Sequence, residues 1–369
     1  MKVLTIVGTR PELIKLSEII KKLDKHTNHV FVHTGQNYDY ELNDIFYKDL
    51  GLRKPDYYLN AKTSSLAETI GDILVKIEKV LKKEQPDAVL LLGDTNSALA
   101  GIIAKRMKIP LFHLEAGNRC FDDNVPEEVN RRILDHISDV NMVYTQGQRL
   151  YLRDEGIAKE RVFVMGSPMK EVLSNQMKKI NASTILVDLK LEFPETAQLP
   201  YYLVSIHRDE NTNIPENLEV LKDTLNAIAE KYNKRIIVTA HPRLKDKLNE
   251  SDRLNFRITL HKPFSFTDYC KLQMNADCVI SDSGTIAEEC SILKFPSLTI
   301  RNAHERAEAT DIGSVLMTGV NKESILNCLD IVSKPTTIPV DYDVDNCSER
   351  VLKVVLGYTP YVNRYVYHK

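Results

Sequence analysis

The sequence predicts an α/β protein built from two doubly wound parallel-sheet domains. Three observations carry that reading. The chain has 369 residues, and at roughly 100–200 residues per domain two domains are expected. Short runs rich in Val, Ile and Leu alternate with longer helical patterns, the order of parallel strands joined by helices. The alternation breaks once, in a polar stretch at about 172–199 ending "EFPETAQLP", and then restarts.

In the first half the strand-like runs are "KVLTIV" (2–7), "HVFVHT" (29–34), "AVLLLG" (88–93), "LFHLE" (111–115), "VNMVYT" (140–145) and "RVFVMG" (161–166). Helical patterns lie between them, as at 65–83 and 97–107. In the second half the runs are "YYLVSIH" (201–207), "RIIVTAH" (235–241), "FRITLH" (256–261), "DCVISD" (277–282) and "FPSLTI" (295–300). The spacing at 347–358, "CSERVLKVVLGY", predicts a last helix with Ser348 as its cap and Val351, Leu352, Val355 and Leu356 as one apolar stripe. The domains are thus expected at 1–171 and 200–346, with 172–199 as linker and 347–369 as a closing helix and tail.

A hydrophobic content of 43% in a chain this long is enough to bury cores without covalent staples. The net charge of −2 gives no strong field toward nucleic acid or anionic lipid. The six cysteines are scattered, with no C-x-x-C pair, which fits free thiols in a reducing compartment. "MKVLTIV" is too short for a signal-peptide core, and no apolar run approaches the roughly 18 residues of a membrane span. A cytoplasmic protein without membrane insertion is expected.

In open parallel sheets ligands bind beyond the carboxyl ends of the strands. The polar residues placed there are Arg10, Gln36, Asp94, Glu115, His207, His241, Ser283 and Arg301. In "GTRPE", Gly8 permits a tight turn and Pro11 suits a first helical turn. Arg10 beside free helix N–H groups outlines a phosphate or carboxylate site, although a surface arginine at a turn reads equally well. Asp94 in "LLGDTNSALA" is either an N-cap or a carboxylate facing the cleft. In "HLEAGNRCFDDNVPEEVNRRILDHIS", Glu115 ends a strand and Pro126 opens a helix. Glu127 and Arg131 stand at i, i+4, as do Glu128 and Arg132, so each couple can pair. Val129, Ile133 and Ile137 mark the expected buried stripe. Glu127 and Glu128 also suit a helix dipole without any chemistry. Several carboxylates at neighbouring strand ends suggest general acid/base work.

"SIHRDEN" opens the second half with His207 and Arg208 at a strand end. In "ISDSGTIAEE" the small residues Ser283, Gly284 and Thr285 let backbone N–H groups approach a pyrophosphate, and Glu289 can accept from ribose hydroxyls; the same residues also make an ordinary cap. "RNAHER" adds Arg301 and Arg306. No G-x-G-x-x-G, metal-ligand cluster, nucleophile elbow or Walker loop is present, which argues against a nicotinamide cofactor.

"GTRPELIK", "LLGDTNSALA", "HLEAGNR", "PEEVNRRILDHIS", "HRDEN" and "SDSGTIAEE", in this order and spacing, resemble the non-hydrolysing UDP-N-acetylglucosamine 2-epimerase family. The resemblance runs from about residue 3 to residue 310. It implies two Rossmann-like doubly wound domains with an interdomain cleft, similar to GT-B glycosyltransferases, and a closing helix that returns to the first domain. It implies a homodimer acting on a UDP-sugar without cofactor or metal. It also implies a reaction at carbon 2 by elimination of UDP to a 2-acetamidoglycal and re-addition. By motif, Arg10 contacts the phosphates and Lys15 lines the site. Asp94, Glu115 and Glu127 are the acid/base carboxylates, Arg131 is their partner, and His207 comes from the second domain. Ser283, Gly284 and Thr285 hold the pyrophosphate, Glu289 the ribose, Arg306 the sugar-phosphate end and Phe264 the uracil, with Arg208 among the substrate-binding groups.

The chain departs from members specific for UDP-N-acetylglucosamine, which typically read "EAGLRT" and "GNTVIDAL". It carries "EAGNRCFDDNVPEEVNRR" and "GSPMKEVL". Both variants resemble the capsule and O-antigen branch that makes UDP-N-acetyl-L-fucosamine. A UDP-N-acetylglucosamine to UDP-N-acetylmannosamine epimerase, a glycosyltransferase of the same fold and a non-catalytic UDP-sugar-binding regulator remain the alternatives.

Overall fold

The computed structural model describes residues 1–35, 47–62, 64–191, 199–240, 247–248 and 254–369. Gln36 and His241, two of the strand-end polar residues, lie outside the described residues. The chain divides into two units, Met1–Asn175 with Val340–Lys369, and Gln176–Pro339.

The first unit runs β1 (Lys2–Val7), α1 (Arg10–His26), β2 (Asn28–His33), β3 (Tyr57–Tyr58), α2 (Leu66–Glu84) and β4 (Ala88–Leu92). A 3₁₀ turn, Asn96–Ala100, leads into α3 (Gly101–Arg106), then β5 (Leu111–Ala116), α4 (Pro126–Ile137), β6 (Val140–Val143), α5 (Gln146–Asp154), β7 (Val162–Val164) and α6 (Met169–Ala182). The strands form a parallel sheet in the order β3-β2-β1-β4-β5-β6-β7. The central strands β1 and β4 are almost wholly apolar and buried because helices cover both faces. On β1, Val3 and Val7 join a core with Leu13 and Leu16 of α1, whereas Leu4 and Ile6 join another with Ile73 and Ile77 of α2. The strand order reverses between β1 and β4, so the connections leaving them run to opposite faces and open a crevice at their carboxyl ends. Arg10 follows β1 and Asp94 follows β4.

The second unit runs α7 (Ile185–Asp188), β8 (Tyr201–Ile206), α8 (Asp209–Thr212), α9 (Pro215–Tyr232), β9 (Arg235–Ala240), β10 (Ile258–His261) and α10 (Phe266–Asn275). It continues with β11 (Cys278–Ser281), α11 (Ile286–Leu293), β12 (Ser297–Thr299), α12 (Ala307–Asp311), β13 (Leu316–Met317) and α13 (Lys322–Ile331). Its parallel sheet has the order β10-β9-β8-β11-β12-β13, with the reversal between β8 and β11. His207 and Ser283 follow those two strands. The stretch 172–199, read from its weak pattern as linker, holds the rest of α6 and all of α7; residues 192–198 lie outside the described residues.

The last helix, α14 (Cys347–Tyr365), packs in the first unit, where Val351, Leu352, Val355 and Val362 share a core with Leu13, Leu16 and Ile20 of α1. Two details differ from the sequence expectation. Leu356 is exposed and stands off the stripe. Ser348 lies inside the helix, not at its cap, and its N–H and hydroxyl both donate to Glu171. A carboxylate from α6 thus satisfies the free donors of this helix start.

Candidate active site

The turn after β1 is held by Glu12. This wholly buried carboxylate accepts from the Gly8 N–H (2.8 Å), the Thr9 N–H (2.7 Å) and the Thr9 hydroxyl (2.8 Å), and its other oxygen accepts from the Thr95 hydroxyl (2.8 Å). Burial pushes the Glu12 carboxyl up to about 7, against the lowering pull of these donors. One side chain therefore ties the Arg10 turn to the Asp94 turn. Gly8 is required by contact, not by an unusual φ. A Cβ there would lie 1.8 Å from Ser97 Oγ and 2.4 Å from Thr34 Oγ1. Arg10 is the first residue of α1, with Pro11 in the first turn.

Lys15, one turn further along α1, is buried and places its Nζ 2.8 and 2.7 Å from the two oxygens of Glu115. Tyr144 Oη (3.1 Å) and Asn118 Nδ2 (3.3 Å) donate to the same carboxylate. Glu115 itself has φ +69°, and the β5–β6 register slips between Leu114 and Ala116. A left-handed glutamate in a bulge is costly backbone that cores do not need, and such positions cluster at functional sites.

Asp94 receives the Nε (2.9 Å) and Nη2 (2.7 Å) of Arg131 on one oxygen, while Asn130 donates to its carbonyl (2.9 Å). Arg131 Nη1 binds Glu128 (2.7 Å), and Arg132 Nη2 lies 3.3 Å from the other Glu128 oxygen. Two expectations for α4 are corrected here. Arg131 reaches past half-buried Glu127 to Glu128 and Asp94. The buried face of α4 is Glu128, Arg131, Leu134 and Asp135, whereas Val129 and Ile133 are exposed. The helix turns its charged side inward because buried Glu128 and half-buried Asp94, in the turn after β4, are available to Arg131. A buried guanidinium that makes two bonds to one carboxylate and a third to another outweighs an exposed i, i+4 pair.

In the second unit His207 Nδ1 lies 2.7 Å from Asp282 Oδ1. Asp282 is fully buried and also accepts the backbone N–H groups of His207 and Arg208 and the Asn211 amide. Desolvation opposes the His207 charge and Asp282 outweighs it, so the imidazole is raised. Burial alone would raise the Asp282 carboxyl, yet His207 and the surrounding donors bring it down to about 2. Arg208 Nε donates to the Asp282 carbonyl (3.0 Å).

Ser283, Gly284 and Thr285 form the turn into α11. Thr285 Oγ1 (2.8 Å) and Gln273 Nε2 (2.6 Å) donate to the two oxygens of Glu289. A pocket here is lined by Ser283, Gly284, Thr299, Arg301, His304 and Arg306 among others. The Arg301 and Arg306 side chains are both buried, with Arg301 Nη1 3.0 Å from Glu305 and Arg306 Nε 3.6 Å from Glu288. Phe264 lies in the β10–α10 connection with its ring 5.5 Å from that of His261. Small turn residues over buried arginines have the chemistry of an anion cradle.

The family model for UDP-N-acetylglucosamine 2-epimerase matches residues 21–356. The chain belongs to the UDP-N-acetylglucosamine 2-epimerase family. A solved structure of the UDP-N-acetylglucosamine 2-epimerase from Rickettsia bellii is 48% identical, with TM-score 0.93 and all of both chains covered. The Methanocaldococcus jannaschii UDP-GlcNAc 2-epimerase, solved in complex with UDP-GlcNAc and UDP, is 33% identical with TM-score 0.87, covering 97% of this chain and 100% of that one. A Pseudomonas aeruginosa protein named UDP-2,3-diacetamido-2,3-dideoxy-D-glucuronate 2-epimerase is 31% identical over 337 residues, 88% of this chain and 90% of its own. The chain is therefore an enzyme, an isomerase of the 2-epimerase family, with the GT-B-like α/β fold of its structural neighbours. Among the described residues no helix is long and apolar enough to cross a membrane.

In this 2-epimerase family member the structure joins Lys15 with Glu115 and Asp94 with Arg131 in the first unit. It gathers Ser283, Gly284 and Arg306 around one pocket of the second, with Thr285 and Glu289 hydrogen-bonded in the same turn. The sequence reading missed Glu12, Asn118, Tyr144 and Asp282. Asp282 had a signal, since an acidic residue directly after a strand and before a Ser-Gly turn faces the same end as the site. Tyr144 had none, because its approach to Glu115 depends on the pairing of β5 with β6.

Proposed function

We propose that this enzyme epimerises carbon 2 of a UDP-N-acetylhexosamine by elimination and re-addition of UDP. The observation that carries the reading is a pair of carboxylates, Asp94 and Glu115, at adjacent strand ends, each held by a cation from another element, in a 2-epimerase family member. Carbon 2 of such a sugar lies beside no carbonyl, so simple deprotonation is too costly. In the proposed route a carboxylate takes the carbon-2 proton, the electron pair forms the C1=C2 bond, and the C1–O bond breaks to release UDP. Addition of UDP to the 2-acetamidoglycal, with the proton delivered to the opposite face, gives the epimer. Glu127 and the Asp282-oriented His207 are the further acid/base candidates. Arg10, Arg208, Arg306 and the Ser283–Gly284–Thr285 turn are assigned to the departing pyrophosphate, where charge grows in the transition state. Glu289 is assigned to the ribose and Phe264 to the uracil.

For the sugar, the proposal is formation of UDP-N-acetyl-L-fucosamine for capsule or O-antigen synthesis. The support is "EAGNRCFDDNVPEEVNRR" and "GSPMKEVL". Conversion of UDP-N-acetylglucosamine to UDP-N-acetylmannosamine is the second reading, favoured by the names of the Rickettsia and Methanocaldococcus relatives. A homodimer is part of the proposal, tested by the mass of the purified chain in light scattering. One NMR time course in deuterated water with a panel of UDP-sugars decides the rest. Deuterium should enter carbon 2 of the product, and the preferred sugar should turn over fastest. Epimerisation that retains the original hydrogen at carbon 2 would overturn the elimination route.

A further inference from the structure

Asp94 and Glu115 stand at the ends of adjacent strands, and one side chain beneath them links the turn of the first to a carboxylate that holds the turn of the second. His113 lies on β5 two residues before Glu115 and is wholly buried. Its Nε2 lies 2.8 Å from the carbonyl of Gly93, the peptide group that leads into Asp94. Its Nδ1 lies 2.9 Å from Asp135 Oδ1. Asp135, on α4 one turn after Arg131, accepts the Gly117 N–H (3.2 and 3.1 Å to its two oxygens) and Arg119 Nη1 (2.7 Å). Arg119 in turn donates to both oxygens of Glu155 (2.7 and 2.6 Å). Helix α4 therefore grips the Asp94 turn twice and the Glu115 turn once. Arg131 holds the Asp94 side chain. Asp135 holds the turn after Glu115 directly and the peptide before Asp94 through the imidazole.

The neighbours of the ring define its state. A carbonyl oxygen only accepts, and Asp135, which receives an amide and a guanidinium, is ionised. Nε2 must then donate, and Nδ1, 2.9 Å from the Asp135 carboxylate though off the line of a hydrogen bond, would set a lone pair against that charge unless it too carries a proton, so the ring is an imidazolium. His113, Asp135 and Arg119 are buried, Glu155 lies at the solvent-exposed end, and the four alternate in sign, so each charge has an opposite neighbour. Burial works against the charge on His113, and Asp135 more than offsets it. Of the turns this row braces, the one at Glu115 is strained, with φ +69°, whereas Gly93 takes φ +71° freely, and Glu115 Oε2 lies 4.0 Å from where a Cβ on Gly93 would stand. Such backbone persists only where its surroundings over-determine it.

We propose that His113, doubly protonated and held by Asp135, is a positioning residue that sets Asp94 and Glu115 against each other for the proton transfers at carbon 2. The inference rests on the epimerase reading above. His113 contacts neither carboxylate side chain and acts through the backbone of their turns.

The test uses the full chain and three variants, His113→Gln, His113→Asn and Asp135→Asn. The longer amide can keep the bond to Gly93 and lose that to Asp135, and the shorter one the reverse. Each variant should retain its UDP affinity in calorimetry within about 2-fold, since the nucleotide groups are untouched. Turnover should fall by roughly 10- to 10²-fold, the scale of a misplacement of about 1 Å. More free UDP should also be released per epimerised product, because misaligned carboxylates leave the glycal unprotonated for longer. Wild-type turnover, or turnover and UDP affinity lost together, would overturn the proposal. A readout independent of variants and of activity is the ¹⁵N spectrum of histidine-labelled wild-type protein at pH 8. It should show His113 protonated at both nitrogens, and a neutral tautomer would overturn the inference even if every variant fails to fold. Absence of epimerisation by the wild type in the same assay would instead overturn the proposed function, leaving the ring's state measured separately.

Discussion

Lys15 and Glu115 lie 100 positions apart and meet as a buried pair, with side chains 7% and 9% exposed. The pair is worth little against two well-packed neutral groups, but removing one partner strands the other's charge. Lys15→Met should therefore cost about 3–5 kcal/mol of stability as well as activity. Adding Glu115→Gln should recover more than half of that stability and none of the activity. Urea unfolding of wild type, single and double variants checks this, and a double variant no more stable than the single would contradict it. His207 and Asp282 make a second pair whose worth depends on pH. The Asp282 carboxyl falls from an ordinary 3.8 to about 2, so its stabilisation is present above about pH 4 and lost as pH falls through about 2. The His207 imidazole is raised from 6.5, so its stabilisation is complete below that value and lost as pH climbs through the raised one. Wild type should exceed Asp282→Asn in stability most between about pH 4 and 6.5, with the gap narrowing on both sides. A gap that is constant from pH 2 to 9 would rule the linkage out. At this scale the sequence showed which residues stand at strand ends. It did not show which cation each carboxylate meets.

At the scale of the element, the β1–α1 turn shows how packing selects residues. Thr34 and Ser97 hydroxyls bond to each other at 2.7 Å directly against Gly8. Gly8→Ala should overpack that contact and cost about 1–3 kcal/mol. Gly71 is the control. It lies within α2, and a Cβ there meets nothing within 4 Å. Gly71→Ala should stabilise by roughly 0.5–1 kcal/mol, the helix-interior difference between the two residues. Chemical unfolding of both variants checks the opposite signs. The same turn explains what was legible. Gly-Thr-Arg-Pro-Glu announces a strand-to-helix turn by local chemistry alone. Helix α4 announces its start through Pro126, but its rotation was not legible. Val129 and Ile133 look like a buried stripe, and only the neighbouring strand ends show that Arg131 and Asp135 have partners inside. The bulge at Glu115 has no local signal either, because a register slip belongs to two strands together.

At the scale of the whole molecule, the first unit is completed from the far end of the chain. Val351, Leu352, Val355 and Val362 of α14 close the core over α1. Each such side chain contributes about 1.5–3 kcal/mol on burial, and the four together rival the roughly 5–15 kcal/mol that holds a domain folded. A chain ending at residue 346 should lose the cooperative unfolding of its first unit while the second unit's core persists. Pulsed proteolysis with mass mapping checks this. Protection of residues 1–175 equal to that in the full chain would contradict it.

The sequence by itself determined the family, the two parallel-sheet units and the strand ends where chemistry gathers. These rest on local period, on turn residues and on motifs each written within a few residues, read in their order along the chain. Only the tertiary structure decided the pairing of Lys15 with Glu115, of Arg131 with Asp94, of His207 with Asp282 and of His113 with Asp135. Local spacing allows several such pairs at a few tenths of a kcal/mol each. The choice among them is made by burial, where an unmatched charge costs several kcal/mol, and burial is a property of the packed sheets and helices together.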